Sequence, residues 1–258
     1  MTVRWRRAIL LLALAVLLWP LLRVAGALPD FGTPTSRYGA TVNELLPGAR
    51  HVTNMVAAVN FDVRGIDTIG EECMLVCAVT GAVVLLRGAR GESSTERAGR
   101  VPGRAVVERA DATVLICRIA STVLALFGVY MVLHGTVTPG GGFQGGVIVA
   151  SSLMLLYLGE GYAGWRRMVH SPPLAILEGG GAFLFVAAAA VPLILGYAAL
   201  QNILPFGQPK DLFSGGLMVI TNFAVGLSVT GSFGIMLLEF MEETRSSADD
   251  PVPDEADE

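Results

Sequence analysis

Six apolar runs, each near the length that crosses a bilayer, fall at about 8–27, 68–87, 113–134, 143–162, 174–200 and 213–240. A membrane-spanning helix needs roughly 20 predominantly apolar residues, so these runs leave the chain few ways to fold. Charged residues make up 16% of the sequence, against about 25% in an ordinary soluble domain. The deficit is concentrated in the six runs. The fold class that follows is all-α: a polytopic membrane protein with about six transmembrane helices.

Basic residues orient the spans, because cytoplasmic loops are enriched in Lys and Arg. Arg4, Arg6 and Arg7 precede the first run. Arg87, Arg90, Arg97, Arg100, Arg104 and Arg109 lie between the second and third, Arg166 and Arg167 between the fourth and fifth, and Arg245 after the sixth. In a six-span chain all of these share one side, while the other side holds Arg23, Arg37, Arg50, Arg64 and Lys210. Both termini are therefore expected in the cytoplasm. A cysteine placed at Ser94 should react with an impermeant maleimide only from the cytoplasmic side, and one at Gln208 only from outside. Labelling of position 94 from outside would reverse the topology. The first run has two readings: a retained anchor, or a signal peptide ending at Ala25-Gly26-Ala27. The orientation of the rest is the same in both.

Four segments are expected. Residues 1–87 form an N-terminal module of two spans with an external segment, 28–67. Residues 88–112, rich in Gly, Arg, Glu and Ser, form a cytoplasmic linker. Residues 113–240 form a four-helix membrane domain. Residues 241–258 form an acidic, disordered tail that accounts for most of the net charge of −4. The external segment carries short apolar clusters such as Val52–Val59, expected to lie as a short helix on the membrane surface or on a partner.

Between the third and fourth runs stands TPGGGFQGG, Thr138–Gly146. A soluble phosphate-binding glycine loop follows a strand and opens an amphipathic helix. Here apolar sequence runs in and out with almost no charge, so the tract is a tight turn between membrane helices. Gly140, Gly141, Gly142, Gly145 and Gly146 allow positive φ and close helix approach, and Pro139 stops one helix or opens the next. A similar arrangement, LPFGQPKDLFSGGLMVIT with Gly215 and Gly216, precedes the sixth run and hints at an internal repeat.

No constellation of a soluble enzyme is present. His51, His134 and His170 form no metal-binding pair, and no Walker, G-x-S-x-G or C-x-x-C motif occurs. No metal, cofactor or nucleic acid is implied. Cys73, Cys77 and Cys117 read as small buried hydrophobes. What remains are charges and polar groups in or beside the spans, where burial is costly. Glu71 and Glu72 open the second span. Each reads either as an interfacial carboxylate favoured by the helix N-terminus or as a relay for protons or cations. Arg118 either snorkels to the cytoplasmic surface or pairs within the bundle, with Glu178 as its expected partner. Glu160 reads as interfacial, His134 as a helix cap, and Lys210 and Asp211 as a solvated pair. Asn222, in mid-span, is expected to hydrogen-bond another helix.

The string FGVYMVLHGTVTPGGGFQGGVIVASSLMLLYL, continuing through LEGGGAFLFV, LQNILPFG and LFSGGLMVITNFAVGLSV, resembles the MnhB/MrpB family. That family supplies the B-type component of multi-subunit Mrp-type Na⁺/H⁺ antiporters, and the resemblance covers about residues 113–240. NMVAAVNFDVRGIDTIGEECMLVCAVTGAVVLL resembles the C-terminal part of the large A-type component of Mrp complexes, or the small E-type component of membrane-bound hydrogenases. Arg64, Gly65, Asp67, Thr68, Gly70 and Glu71 match the motif there, with Ile69 in place of leucine, which selects Glu71 over Glu72. Both modules in one chain depart from the separate-subunit arrangement. The resemblance implies a non-catalytic subunit of a bacterial cell-membrane complex that exchanges Na⁺ and H⁺. Its partners would be large antiporter-like subunits, small membrane subunits and the lipid bilayer. Arg64, Asp67, Glu71 and Glu72 would be its ion-pathway residues. Rival readings are a membrane-arm subunit of a complex-I-like hydrogenase and a purely structural assembly subunit. A stand-alone channel would need a ring of pore-lining charges, which the sequence lacks.

Overall fold

The computed structural model describes residues 3–28, 32, 37–93 and 109–244. Contacts divide the chain into two units, Met1–Glu44 and Leu45–Glu258. The first holds α1, Val3–Gly26, an apolar span with Pro20 inside it. Helix α2, Arg37–Arg50, begins there, and its last turn belongs to the second unit.

The second unit continues with α3 (Met55–Ala58), a π-helical turn (Val59–Val63) and α4 (Gly65–Ser93). Then come α5 (Asp111–Leu133), α6 (Gly142–Met168), α7 (Ser171–Ile194) and α8 (Leu217–Thr244). With α1, six helices are long and apolar enough to cross a membrane, and no strand occurs among the described residues. The chain is a multi-pass membrane protein.

Two antiparallel hairpins, α5–α6 and α7–α8, make up most of the bundle, and α6 and α8 pack side by side between them. Helix α4 lies on α8. The central element is α8, with 61% of its apolar window buried against 11% for α4 and α5. Its small residues let three neighbours approach: Ala224, Ser228 and Ser232 are fully buried, and a Cβ at Gly231 would stand 2.5 Å from Leu174 O on α7.

Several boundaries differ from the sequence expectation, each for a local reason. The fifth span stops at Ile194 instead of 200 because Gly196 takes φ 86° and turns the chain away. The sixth starts at Leu217 instead of 213: Gly215 and Gly216 take φ 105° and 60°, and Asn202 Oδ1 accepts the first amide of the helix, from Leu217, at 2.8 Å. Helix α4 runs on to Ser93, into the expected linker, and α8 to Thr244, into the expected tail. Residues 94–108 and 245–258, the rest of those two segments, lie outside the described residues. Helix α6 breaks at Gly161, whose φ of 70° and ψ of 179° are not helical.

The apolar cluster at 52–59 does not sit on a surface. Val52, Ala57, Ala58 and Phe61 are buried with Phe185, Ala189, Met218, Val225 and Val229 in one core. The segment caps the end of the bundle that carries the glycine turn, held there by Thr53 and Asn54 amides donating to Thr136 O at 3.2 and 3.1 Å. Arg50, ion-paired with Asp62 at 2.6 Å and stacked over Phe206, closes the same end.

Candidate functional site: a glycine clasp and a buried acid seam

Helix α5 ends at Leu133, with His134 as its C-cap and the His134 ring stacked on Tyr130 at 4.0 Å. Pro139 neither stops α5 nor opens α6; it lies within the turn between them. Gly140 and Gly141 adopt φ of 136° and 143°, which a side chain would strain. Two asparagines fasten this turn. Asn222, on α8, donates from Nδ2 to Val132 O at 2.7 Å and accepts at Oδ1 from Gly142 N at 2.8 Å. One side chain thus ties α8 to the end of α5 and the start of α6. Asn54 Nδ2 donates to Gly135 O at 2.7 Å and Thr138 O at 3.0 Å. Its Oδ1 caps α3 by accepting from the Val56 and Ala57 amides.

The later glycines set the spacing between helices. A Cβ at Gly145 would lie 2.7 Å from Gly128 O and 2.8 Å from Val132 N, both on α5. At Gly146 it would lie 2.8 Å from Val229 Cβ and 2.9 Å from Gly226 O on α8. Gly142 faces Asn222 and Gly226 of α8 in the same way. Ordinary carbon contacts are about 3.5–4.0 Å, so α6 is wedged between α5 and α8 at backbone-contact distance. The second glycine pair is equally confined: a Cβ at Gly215 would meet Val52 Cγ1 at 2.7 Å, and one at Gly216 would meet Asn202 Oδ1 at 2.5 Å.

The ion-pathway candidates separate. Arg64 and Asp67 form an exposed i,i+3 ion pair at the start of α4, 2.5 Å apart. Glu71 is exposed. Glu72 is buried, at 4% exposure, and neither of its carboxyl oxygens has a hydrogen-bond partner among the described residues. It lies against the fully buried Ser228 of α8, whose hydroxyl also lacks a partner, with Glu178 of α7 nearby. Glu178 is not the partner of Arg118: its Oε1 accepts from Ser232 Oγ at 2.7 Å. Arg118 instead pairs with Glu160, joining α5 to α6. The reason is helix adjacency: α5 packs along α6, whereas Glu178 is on α7, which packs along α8.

Cys73 and Cys77, expected to be buried, lie exposed on this chain's outer surface, while Cys117 is half-buried against Gly159 of α6. Lys210 and Asp211 are both exposed. Among the described residues no three or more His, Cys, Asp or Glu side chains converge as a metal site would require. Sequence reasoning passed over Asn54, Ser228, Ser232 and the buried Glu239. Glu239 had a readable signal, as an acid near the end of an apolar run. Ser228 and Ser232, four residues apart on one face of α8, become visible only once α4 and α7 are packed against it.

Known proteins resemble the same part of the chain. A family model described as "Domain related to MnhB subunit of Na+/H+ antiporter" matches residues 112–235. The B-type component of a Na⁺/H⁺ antiporter from Bacillus subtilis is 35% identical over 110 residues, which are 43% of this chain and 76% of that protein. The chain belongs to the MnhB family. Beyond the MnhB domain, the likeness to solved structures takes in nearly the whole chain. A chain of the membrane-bound sulfane sulfur reductase, an archaeal respiratory membrane complex, matches with TM-score 0.70 and 26% identity, covering 92% of this chain and 98% of that one. A chain of the Mrp complex from Dietzia has the same fold, with TM-score 0.71 and 18% identity, over 96% of this chain and 27% of that one.

Proposed function

We propose that this chain is a membrane subunit of a multi-subunit Mrp-type antiporter that exchanges a monovalent cation for protons, with no catalysis of its own. The observation that carries the reading is the glycine clasp. The residues of the MnhB match are those that wedge α6 between α5 and α8, and Asn222 locks that wedge with one side chain. With backbone and asparagine side chains as its parts, the clasp serves close packing of α5, α6 and α8, which leaves their outer faces for other membrane subunits. Large apolar side chains on the outer faces support this: Val123, Leu126 and Phe127 of α5 and Ile176 and Phe183 of α7 point away from the bundle.

In this reading Pro139, Gly140, Gly141, Gly142, Gly145, Gly146, Gly215 and Gly216 are packing residues. The start of α4, with Arg64, Asp67, Glu71 and Glu72, supports or lines the ion path. Residues 1–87 act as an A- or E-type module joined to the MnhB domain, and both termini face the cytoplasm. The partners are the large antiporter-like subunits and small membrane subunits of the complex, within lipid, and the transported ions are Na⁺ and H⁺. A second reading, a subunit of a respiratory membrane complex, is favoured by the near end-to-end match to the sulfane sulfur reductase chain.

Affinity isolation of the full chain from native membranes, after mild solubilisation, separates the two. The antiporter reading expects co-isolated antiporter-like subunits, and loss of cation-dependent proton exchange in vesicles lacking this chain. Co-isolation of iron–sulfur redox subunits would replace it with the second reading.

A further inference from the structure

Glu72 enters the bundle two turns below the start of α4, roughly 10 Å along the helix. It is all but fully buried, and both carboxyl oxygens lack partners. A carboxyl group in that state is costly in any interior, and more so where water is excluded. The neighbours it faces are the Ser228 hydroxyl of α8 and the Glu178 carboxyl of α7, with Glu71 beside it on its own helix. One turn further along α8, Ser232 donates to Glu178 Oε1 at 2.7 Å.

Two other acids near Glu72 are already matched. From the π-helical turn, Asp62 is held by Arg50, and at the head of α4, Asp67 is held by Arg64. Helix α8 brings no charged residue before Glu239. Arg118, the cation set deepest in a span, is taken by Glu160. Among the described residues no basic side chain pairs with Glu72 or Glu178, and the buried Glu72 of α4 and the half-buried Glu178 of α7 face α8 at neighbouring serines.

We propose that Glu72 and Glu178, linked by the Ser228–Ser232 face of α8, form a proton-holding pair in which two carboxyl groups share one exchangeable proton. Two carboxylates set against neighbouring positions of the same α8 face repel when no counter-ion stands between them, and burial of Glu72 adds to that cost, whereas one proton on the pair leaves a single charge. The serines suit either arrangement, because a hydroxyl both donates and accepts. With the proton on Glu72, Ser232 donates to the Glu178 carboxylate, as observed. Moving the proton to Glu178 breaks one O–H bond, forms another, and leaves the charge of the pair unchanged. The inference deepens the antiporter-subunit reading and rests on it only in taking the proton as a transported species.

Dicyclohexylcarbodiimide, an apolar reagent that modifies protonated carboxyl groups, tests this on the assembled complex in native membranes. Adducts are mapped by mass spectrometry. The expected result is an adduct on Glu72 whose yield falls as pH rises, and falls several-fold at a given pH in the Glu178→Gln variant. Glutamine there keeps the size and the Ser232 contact, so the fold is retained. Modification of Glu71 with Glu72 untouched, indifference to Glu178→Gln, or protection of Glu72 by Na⁺ at fixed pH would each overturn the proton pair. An unmodified Glu72 in a complex that contains antiporter subunits removes the pair and leaves the subunit reading standing. A modified, Glu178-sensitive Glu72 beside redox subunits does the reverse.

Discussion

Replacing Gly146 with leucine is expected to remove the protein from the membrane as a folded, assembled subunit. The added Cβ alone would stand 2.8 Å from Val229 Cβ and 2.9 Å from Gly226 O, and three more carbons must follow it. Overpacking an ordinary core costs about 1–3 kcal/mol, because neighbouring side chains shift to other rotamers. Here one of the obstructing atoms is backbone on the central helix and has no rotamer to change, so the cost should reach or exceed the top of that range. Parting α6 from α8 would also break the hydrogen bond from Gly142 N to Asn222 Oδ1. Gly81→Leu is the control, since a Cβ there meets nothing within 4 Å. Blue-native electrophoresis of solubilised membranes should show the assembled band lost for Gly146→Leu and kept for Gly81→Leu. A Gly146→Leu variant that assembles normally and changes only the apparent affinity for the cation would make the turn a binding site and end the packing reading.

The sequence carried the helices and the tight turns well, because both are local. Apolar runs of bilayer length with few charges read as spans, and a glycine string between two of them reads as a tight crossing. Boundaries moved where one residue decided them: Gly196 ended α7 early and the Gly215–Gly216 pair delayed α8, each through a positive φ that an apolar count does not register. The side-chain partners were less legible. Arg118 was matched with the wrong glutamate because depth in the membrane was the only available criterion, and Glu160 and Glu178 both satisfy it; which helix lies beside α5 decides between them. Between Glu71 and Glu72 the motif favours the first, while the buried, unbonded carboxyl is the second. Adjacent residues on a helix point about 100° apart, so choosing the inward one requires knowing that α8 covers that face. Asn54 escaped notice because its partners are backbone carbonyls more than 80 positions away.

Asn222→Leu should destabilise the chain even though it makes the sixth span more apolar, and that opposition makes the experiment informative. Leucine keeps the branched outline but is bulkier, so no cavity opens and some overpacking adds to the cost, while insertion of α8 into the bilayer becomes easier. What is lost is specific. Gly142 N–H is the first amide of α6 and has no partner within its own helix, and Asn222 Oδ1 accepts it at 2.8 Å in a buried position. Leaving a buried donor unmet costs about 1–3 kcal/mol, and water that could replace the partner is scarce at that depth. Val132 O loses its 2.7 Å donor as well and keeps a weaker 3.3 Å bond from Gly135 N. The purified chain in mild detergent should therefore melt several degrees lower for Asn222→Leu, while its level of membrane insertion stays at or above that of the parent. A melting temperature unchanged or raised would mean that the asparagine does not hold the clasp together. Hydrophobic packing among α5, α6 and α8 would then be sufficient, and the reason for a polar side chain in the second turn of the most buried helix would have to be sought in the ions instead.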